Sequence, residues 1–199
     1  MAMNFGLQPV GLPSLVAILV GGLAFFAALV RARIAAGAAG VGERRSGLSR
    51  IGIGLQGIGF AITGFGTVSP SLPAGDVAAI LGGLFVAAAM AASVALFVAA
   101  TRAMGANWSL AARMREGHEL VTGGVFAYLR HPIYAAMGVF LLALAVGTGH
   151  EAHLILGIPS FAAGTWLRVR EEERMLRAQF GGDYLAYAAR VKRFIPGLV

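Results

Sequence analysis

The chain has 199 residues, of which 58% are hydrophobic and 13% charged, and its formal net charge is +7. Soluble domains carry roughly a quarter charged residues, so this composition excludes an ordinary water-soluble globule and points to a protein solvated by lipid. Cysteine is absent, which excludes a disulfide framework, a thiolate metal site and a cysteine nucleophile.

Met1 to Pro9 has no basic n-region and the apolar run after it lacks a clear cleavage site, so no removed signal peptide is expected. A helix that crosses about 30 Å of hydrocarbon needs about 20 apolar residues. Val10 to Val30 meets that length without a charge, Ile51 to Ser69 is a second run and Val77 to Ala100 a third. Ile133 to Thr148 is a shorter fourth and Leu154 to Leu167 a still shorter fifth, separated by the polar turn Gly147-Thr-Gly-His150. Ala and Gly recur through these runs, as in helices that pack closely in lipid. The expected fold is therefore all-α: a polytopic membrane protein of about five transmembrane helices, ending in a C-terminal helical hairpin and a cytoplasmic amphipathic helix. Residues 1–199 read as one integral membrane domain, with three transmembrane helices in 1–101 and most of the polar chemistry in 115–199.

Charge placement sets the orientation. All 16 Lys and Arg residues fall between runs one and two, between runs three and four, or after run five. The opposite loops, Pro70 to Asp76 and Gly149 to His153, contain none. By the positive-inside rule the C-terminus is cytoplasmic and the N-terminus outside, in an inner or plasma membrane. The net charge then belongs to anionic headgroups, and nucleic acid is excluded as a partner. Arg31 to Arg50 is rich in Gly and Ala and is expected to be a mobile loop. No apolar run carries a charge near its middle, which argues against a transporter or channel; Gln56 and Thr63 are modest polar exceptions, and Gln56 is a candidate for an acceptor site.

Two polar segments stand out. In the first, Tyr128-Leu-Arg-His-Pro-Ile-Tyr134, Pro132 suits the first turn of run four and His131 its N-cap. Open N–H groups, the helix dipole and Arg130 would make an anion site there; the plainer reading is a headgroup anchor. Gly123 and Gly124 permit a tight turn just before it. In the second, Arg168-Val-Arg-Glu-Glu-Glu-Arg174 leads into a helical pattern interrupted at Gly181-Gly182. Leu167, Leu176, Phe180, Tyr184 and Tyr187 would form its apolar face, which fits an interfacial helix or a lid over a polar ligand. Side by side on one membrane face, the two segments offer cationic and anionic partners to a zwitterion. The histidines 118, 131, 150 and 153 are split between the two sides, so no metal site is expected.

From Glu119 to Pro196 the chain resembles the isoprenylcysteine carboxyl methyltransferases and their phospholipid N-methyltransferase relatives. The resemblance is carried by Leu120-Val-Thr-Gly-Gly124, Tyr128 to Tyr134, Arg170-Glu-Glu-Glu-Arg-Met-Leu176, Phe180-Gly181, Asp183-Tyr184, Tyr187 and Arg190 to Pro196. It implies S-adenosylmethionine as methyl donor and a lipophilic acceptor arriving from the bilayer: an isoprenylcysteine carboxylate, a phospholipid or another small lipophile. It implies cofactor contacts from Tyr128, Arg130, His131, Pro132, Tyr134, Glu172 and Glu173. Arg177, Arg190 and Arg193 are the candidates for orienting an acceptor carboxylate, a reaction that needs no general base; an amine acceptor would need a proton removed, and a Glu is the candidate. Ala136 and Lys192 depart from the family pattern, where Gly and Pro are usual. The rival readings are a membrane sterol-type reductase using NADPH, and a non-enzymatic protein that binds lipid or a partner through its basic face.

Overall fold

A computed structural model describes residues 8–36, 44–45, 47–110, 113–114 and 119–197. Five helices dominate it: α1 (Leu12–Ala35), α2 (Gly47–Gly64), α3 (Val77–Met104), α4 (Pro132–Thr148) and α5 (Leu154–Arg190). A two-residue antiparallel ladder, Arg44–Arg45 against Arg113–Met114, joins the two loops that precede α2 and follow α3. The loop expected over 31–50 is shorter than that, since residues 31–35 continue α1 and 47–50 open α2; residues 37–43 and 46, together with Arg115 and His118, lie outside the described residues.

The helix ends follow local chemistry. Asp76 caps α3, its Oδ1 accepting the Ala78 N–H at 2.8 Å. Pro132 opens α4, and Gly149 closes it in the left-handed region at φ 74°. Helix α5 continues through the boundary expected at Leu167 and breaks at Gly181, where φ is 49° and ψ −119°. A side chain there would be strained, so the glycine lets the chain redirect and bring Tyr184 and Tyr187 back against the body.

Helices α1 and α3 are long and apolar enough to cross a membrane, each with a window of mean hydropathy 2.3, and α4 is a shorter apolar helix. Their apolar side chains are turned outward: Leu19 is 63%, Phe26 63% and Leu84 62% exposed. Water would not tolerate so continuous an apolar surface, whereas lipid solvates it. The chain is a membrane-associated, predominantly helical protein.

The expected hairpin of α4 and α5 is adjacent in sequence but scarcely paired in space. Helix α5 packs along α2, while α4 packs on α3 and α3 on α1, so the helices form two groups. Lipid gives little drive to bury apolar side chains, and close backbone approach decides which helices pair. Gly52, Gln56, Gly59 and Thr63 on α2 meet Gly157, Gly164 and Arg168 on α5. A methyl added at Gly164 would stand 2.5 Å from the Gly52 carbonyl and 2.8 Å from the Gln56 nitrogen, and one at Gly59 would stand 2.8 Å from the Gly157 carbonyl. In the other group, Phe25, Phe97 and Phe140 cluster with ring centroids 4.6 and 5.1 Å apart. Ala136 is wholly buried there, its carbonyl accepting from Ser93 at 2.7 Å. At the far end His150 is buried with Nδ1 3.2 Å from the Thr63 carbonyl and Nε2 3.1 Å from that of Thr67, tying the α4–α5 turn to the end of α2.

Gly164→Val should lower the thermal midpoint in detergent by several degrees, since overpacking costs about 1–3 kcal/mol. At Gly54 an added Cβ meets nothing within 4 Å, so Gly54→Ala should leave the midpoint unchanged or raise stability by up to about 1 kcal/mol. Equal responses at the two positions would exclude the glycine contact as the basis of α2–α5 pairing.

Candidate functional site

The start of α4 is held by the C-terminal tail. After a 3-10 turn over Gly124–Ala127, Leu129 forms a parallel bridge with Lys192. The Arg130 N–H donates to the Lys192 carbonyl at 2.8 Å, and the His131 N–H to that of Arg193 at 3.0 Å. Those two backbone donors, expected to be open to an anion, are therefore used by the tail. His131 does not cap α4 with its side chain; its ring is directed at the carboxylates of α5.

Glu172 and Glu173, expected as a pair at one site, face different ways. Glu173 is 3% exposed and receives a bidentate fork from Arg193, 2.9 and 2.8 Å long. Arg130 approaches it at 3.2 Å, His131 Nε2 at 3.2 Å and Arg177 at 3.4 Å. Burial would raise its pKa, but the Arg193 hydrogen bond and the His131 and Arg130 charges hold the carboxyl well below the usual range. The same bond raises Arg193. Glu172 faces inward, accepts the Tyr134 hydroxyl and lies 3.6 Å from His131 Nδ1. Its burial is likewise outweighed by His131 and Arg168, and its pKa is lowered. Between two carboxylates, His131 has its pKa raised although burial works against its charge. Burial pushes the Tyr187 phenol up to about 12; Tyr184 is raised by burial and by the charge of Glu173. The Tyr187 hydroxyl donates to the Phe126 carbonyl at 2.7 Å.

Below this network lies a cavity of about 320 Å³ to which all five helices contribute. Its polar wall holds Arg130, His131, Tyr134, Arg168, Glu172 and Tyr184, and its apolar wall includes Phe25, Leu29, Phe60, Phe97, Trp108 and Met137. Arg168 is buried, donates to Gln56 Oε1 at 2.7 Å and to the Leu110 carbonyl, and lies 4.9 Å over the Tyr134 ring. Gln56 in turn donates to Thr165 at 2.8 Å. Among the described residues, Arg130 Nε, Arg168 Nε and the Tyr184 hydroxyl are buried without a hydrogen-bond partner. Buried donors left unmatched are costly, and all three residues line this cavity.

Of the residues singled out in the sequence, Arg130, His131, Pro132, Tyr134 and Glu172 line the cavity, and so does Gln56. Tyr128 does not: it is 70% exposed on the outer surface. Glu173, Arg177 and Arg193 form the bracing network behind the wall, and Arg190 is exposed with its Nε 3.4 Å from the Ala186 carbonyl. Sequence reasoning missed Arg168 as a cavity residue. Its signal was the i,i+4 spacing to Glu172, which puts both on one helix face, together with the lone amide of Gln56 in an apolar run.

A charged and apolar cavity, bounded by a helix start and a folded-back tail, is thus the candidate site of a membrane-associated helical protein. The model of the phospholipid methyltransferase family matches residues 77–183, more than half of the chain, and the chain belongs to that family. The match extends the resemblance back through α3. The chain is also 35% identical over 88 residues to protein-S-isoprenylcysteine O-methyltransferase B of Arabidopsis thaliana, a stretch covering 42% of this chain and 43% of that protein. It is 31% identical over 91 residues to the protein-S-isoprenylcysteine O-methyltransferase of Schizosaccharomyces pombe (44% and 37%). With the Homo sapiens enzyme of the same name it shares 36% over 83 residues (40% and 28%). The chain thus spans less than half the length of these curated relatives, which carry the name of the family that the C-terminal motifs resemble.

The His131–Glu pairing gives stability a two-sided pH dependence. His131 is raised, so its contribution is complete below its ordinary value of 6.5 and is lost as pH rises through the raised value. The carboxylates are lowered, so theirs is complete above 4.5 and is lost as pH falls through the lowered values. Thermal unfolding in detergent should show a plateau between, and His131→Gln should abolish the alkaline decline while keeping the acid one. An alkaline slope unchanged in that variant would contradict the assignment.

Proposed function

We propose that this protein is an S-adenosylmethionine-dependent methyltransferase that acts on a lipophilic acceptor ending in an isoprenylcysteine-like carboxylate. The reading includes about five membrane-crossing helices with the basic loops and C-terminus cytoplasmic, supported by the segregation of all 16 basic residues. The observation that carries it is a single cavity in which a charged wall faces an apolar one. A polar methyl donor and a greasy acceptor need those two surfaces within reach of each other. Family membership and the names of the similar proteins favour methyl transfer over the reductase reading.

The donor fits the residues present. An α-amino acid carboxylate takes a guanidinium, and Arg130 offers a buried Nε without a partner among the described residues. Glu172 would accept from the ammonium or the ribose hydroxyls. The Tyr184 hydroxyl and the Tyr134 ring complete the polar wall. When bound, the group supplies an electrophilic methyl on a sulfonium. What the protein adds is position and exclusion of water. Arg168 holds the acceptor carboxylate: it is buried, fixed by Gln56 and Leu110, and keeps one unmatched N–H. A carboxylate is already a nucleophile at neutral pH, so no proton has to be moved. Arg177, Arg190 and Arg193, outside the cavity, are assigned to bracing and surface roles instead.

Calorimetry on the detergent-purified protein should show saturable S-adenosylmethionine binding, weakened about tenfold or more in Arg130→Ala and in Glu172→Ala, as expected for a lost charged hydrogen bond. Arg168→Lys should leave that affinity within about twofold yet raise KM for a farnesylated cysteine by about tenfold. Undiminished donor binding in the Arg130→Ala, Glu172→Ala double variant would refute the placement. An NADPH complex in place of the S-adenosylmethionine one would refute the function.

A further inference from the structure

The outer face of α5, on the side away from the cavity, carries a continuous stripe. Ile155, Pro159, Ala162, Trp166, Arg170, Arg174 and Arg177 follow one another at three- and four-residue steps and are all exposed, so they lie along one side of the helix. The stripe changes character once. Up to Trp166 it is apolar, with Ile155 71% and Trp166 55% exposed; beyond it every position is arginine. At the change lies a groove of about 410 Å³, lined by Trp166, Arg170, Arg174, Arg177 and Arg193 over the buried Glu173.

The charges in this groove do not cancel. Arg177 and Arg193 are committed to Glu173, and Arg174 reaches Glu171 at 2.7 Å. Four guanidiniums against the carboxylates of Glu173 and Glu171 leave two positive charges in excess. Arg174 keeps most of its donors outward, with its side chain 71% exposed. The Arg193 guanidinium sits 5.6 Å from the centre of the Trp166 ring, which fixes that ring at the edge of the groove.

We propose that this groove is a binding site for an anionic phospholipid, distinct from the methyl-transfer cavity. Arg170 and Arg174 take the phosphate, Trp166 sits at headgroup level, and the acyl chains run along the exposed Ile155–Ala162 stripe. A soluble acidic ligand would need the arginines but not the apolar half, and a solvated arginine face would need no tryptophan at the boundary. A tryptophan at the interface with basic residues just beyond it matches the geometry of a lipid. The site rests on the part of the proposed topology that puts the first half of α5 in the bilayer.

The chain has two tryptophans, and Trp108 is buried in the cavity wall, so Trp108→Phe leaves Trp166 as the sole reporter. In nanodiscs of phosphatidylcholine, brominated phosphatidylglycerol should quench Trp166 at a mole fraction about fivefold or more below that needed by brominated phosphatidylcholine. The substitutions R170Q/R174Q should remove this preference. R190Q/K192Q, which deletes the same charge outside the groove, should preserve it, and dissolved glycerol phosphate should not reverse it. Equal quenching by both lipids, or a preference surviving R170Q/R174Q, would overturn the site while leaving α5 in the membrane. No quenching by either would overturn the topology and the site with it. A polyglutamate peptide that shifts Trp166 emission and abolishes the phosphatidylglycerol preference would assign the groove to an acidic protein segment and overturn the lipid.

Discussion

The rest of the site depends on one buried carboxylate. Glu173 sits where α5, the start of α4 and the C-terminal tail converge, and Arg193, Arg130, His131 and Arg177 all reach it. A lone charge at 3% exposure would be very costly; with several cations around it, the charge becomes the reason three separate segments stay together. The tail carbonyls of Lys192 and Arg193 then align with the N–H groups of Arg130 and His131, and Tyr184 and Tyr187 complete the wall. Removing one partner of such a group leaves the others exposed to uncompensated charge, so the network is strongly cooperative.

Glu172 shows how one helical step separates two tasks. Adjacent residues on a helix point about 100° apart, so the chain places one carboxylate into the bracing network and its neighbour into the cavity. His131 lies between them and links the two. Motif and geometry therefore divide differently: the sequence motif groups Glu172 with Glu173, whereas the structure groups Glu172 with Arg168, Tyr134 and Gln56.

Much of this was legible in the sequence. The apolar runs each overlap one of the five helices, and two of them, in α1 and α3, are long and apolar enough to cross a bilayer. Pro132 marks the start of α4 and Gly181 the break in α5, since each residue has few alternatives there. The side-by-side placement of the 128–134 and 170–176 segments was also readable, from charge segregation. What escaped was pairing. Adjacency in sequence suggested that α4 and α5 pack together, but glycine contacts, which carry no periodic signal of partner identity, put α5 on α2 instead. The error propagates to the arginines: the i,i+4 spacing that relates Arg168 to Glu172 also relates Arg177 to Glu173, and the pairing of α2 with α5 is what singles out Arg168, which meets Gln56.

The division into two helix groups has a mechanical meaning for anything long and greasy. The boundary between them is closed at one end by His131 and the carboxylates of α5, and at the other by His150 on the carbonyls of Thr63 and Thr67. Between those fastenings the groups meet through few side chains, among them the edge-on rings of Phe60 and Phe140, 5.4 Å apart. The molecule is thus a buttonhole, stitched at both ends by polar contacts and held between them largely by apolar ones. For the lipophilic acceptor proposed above, such a boundary would be a sideways opening from the surrounding lipid, one that leaves a tail among hydrocarbon while the polar end reaches the charged corner.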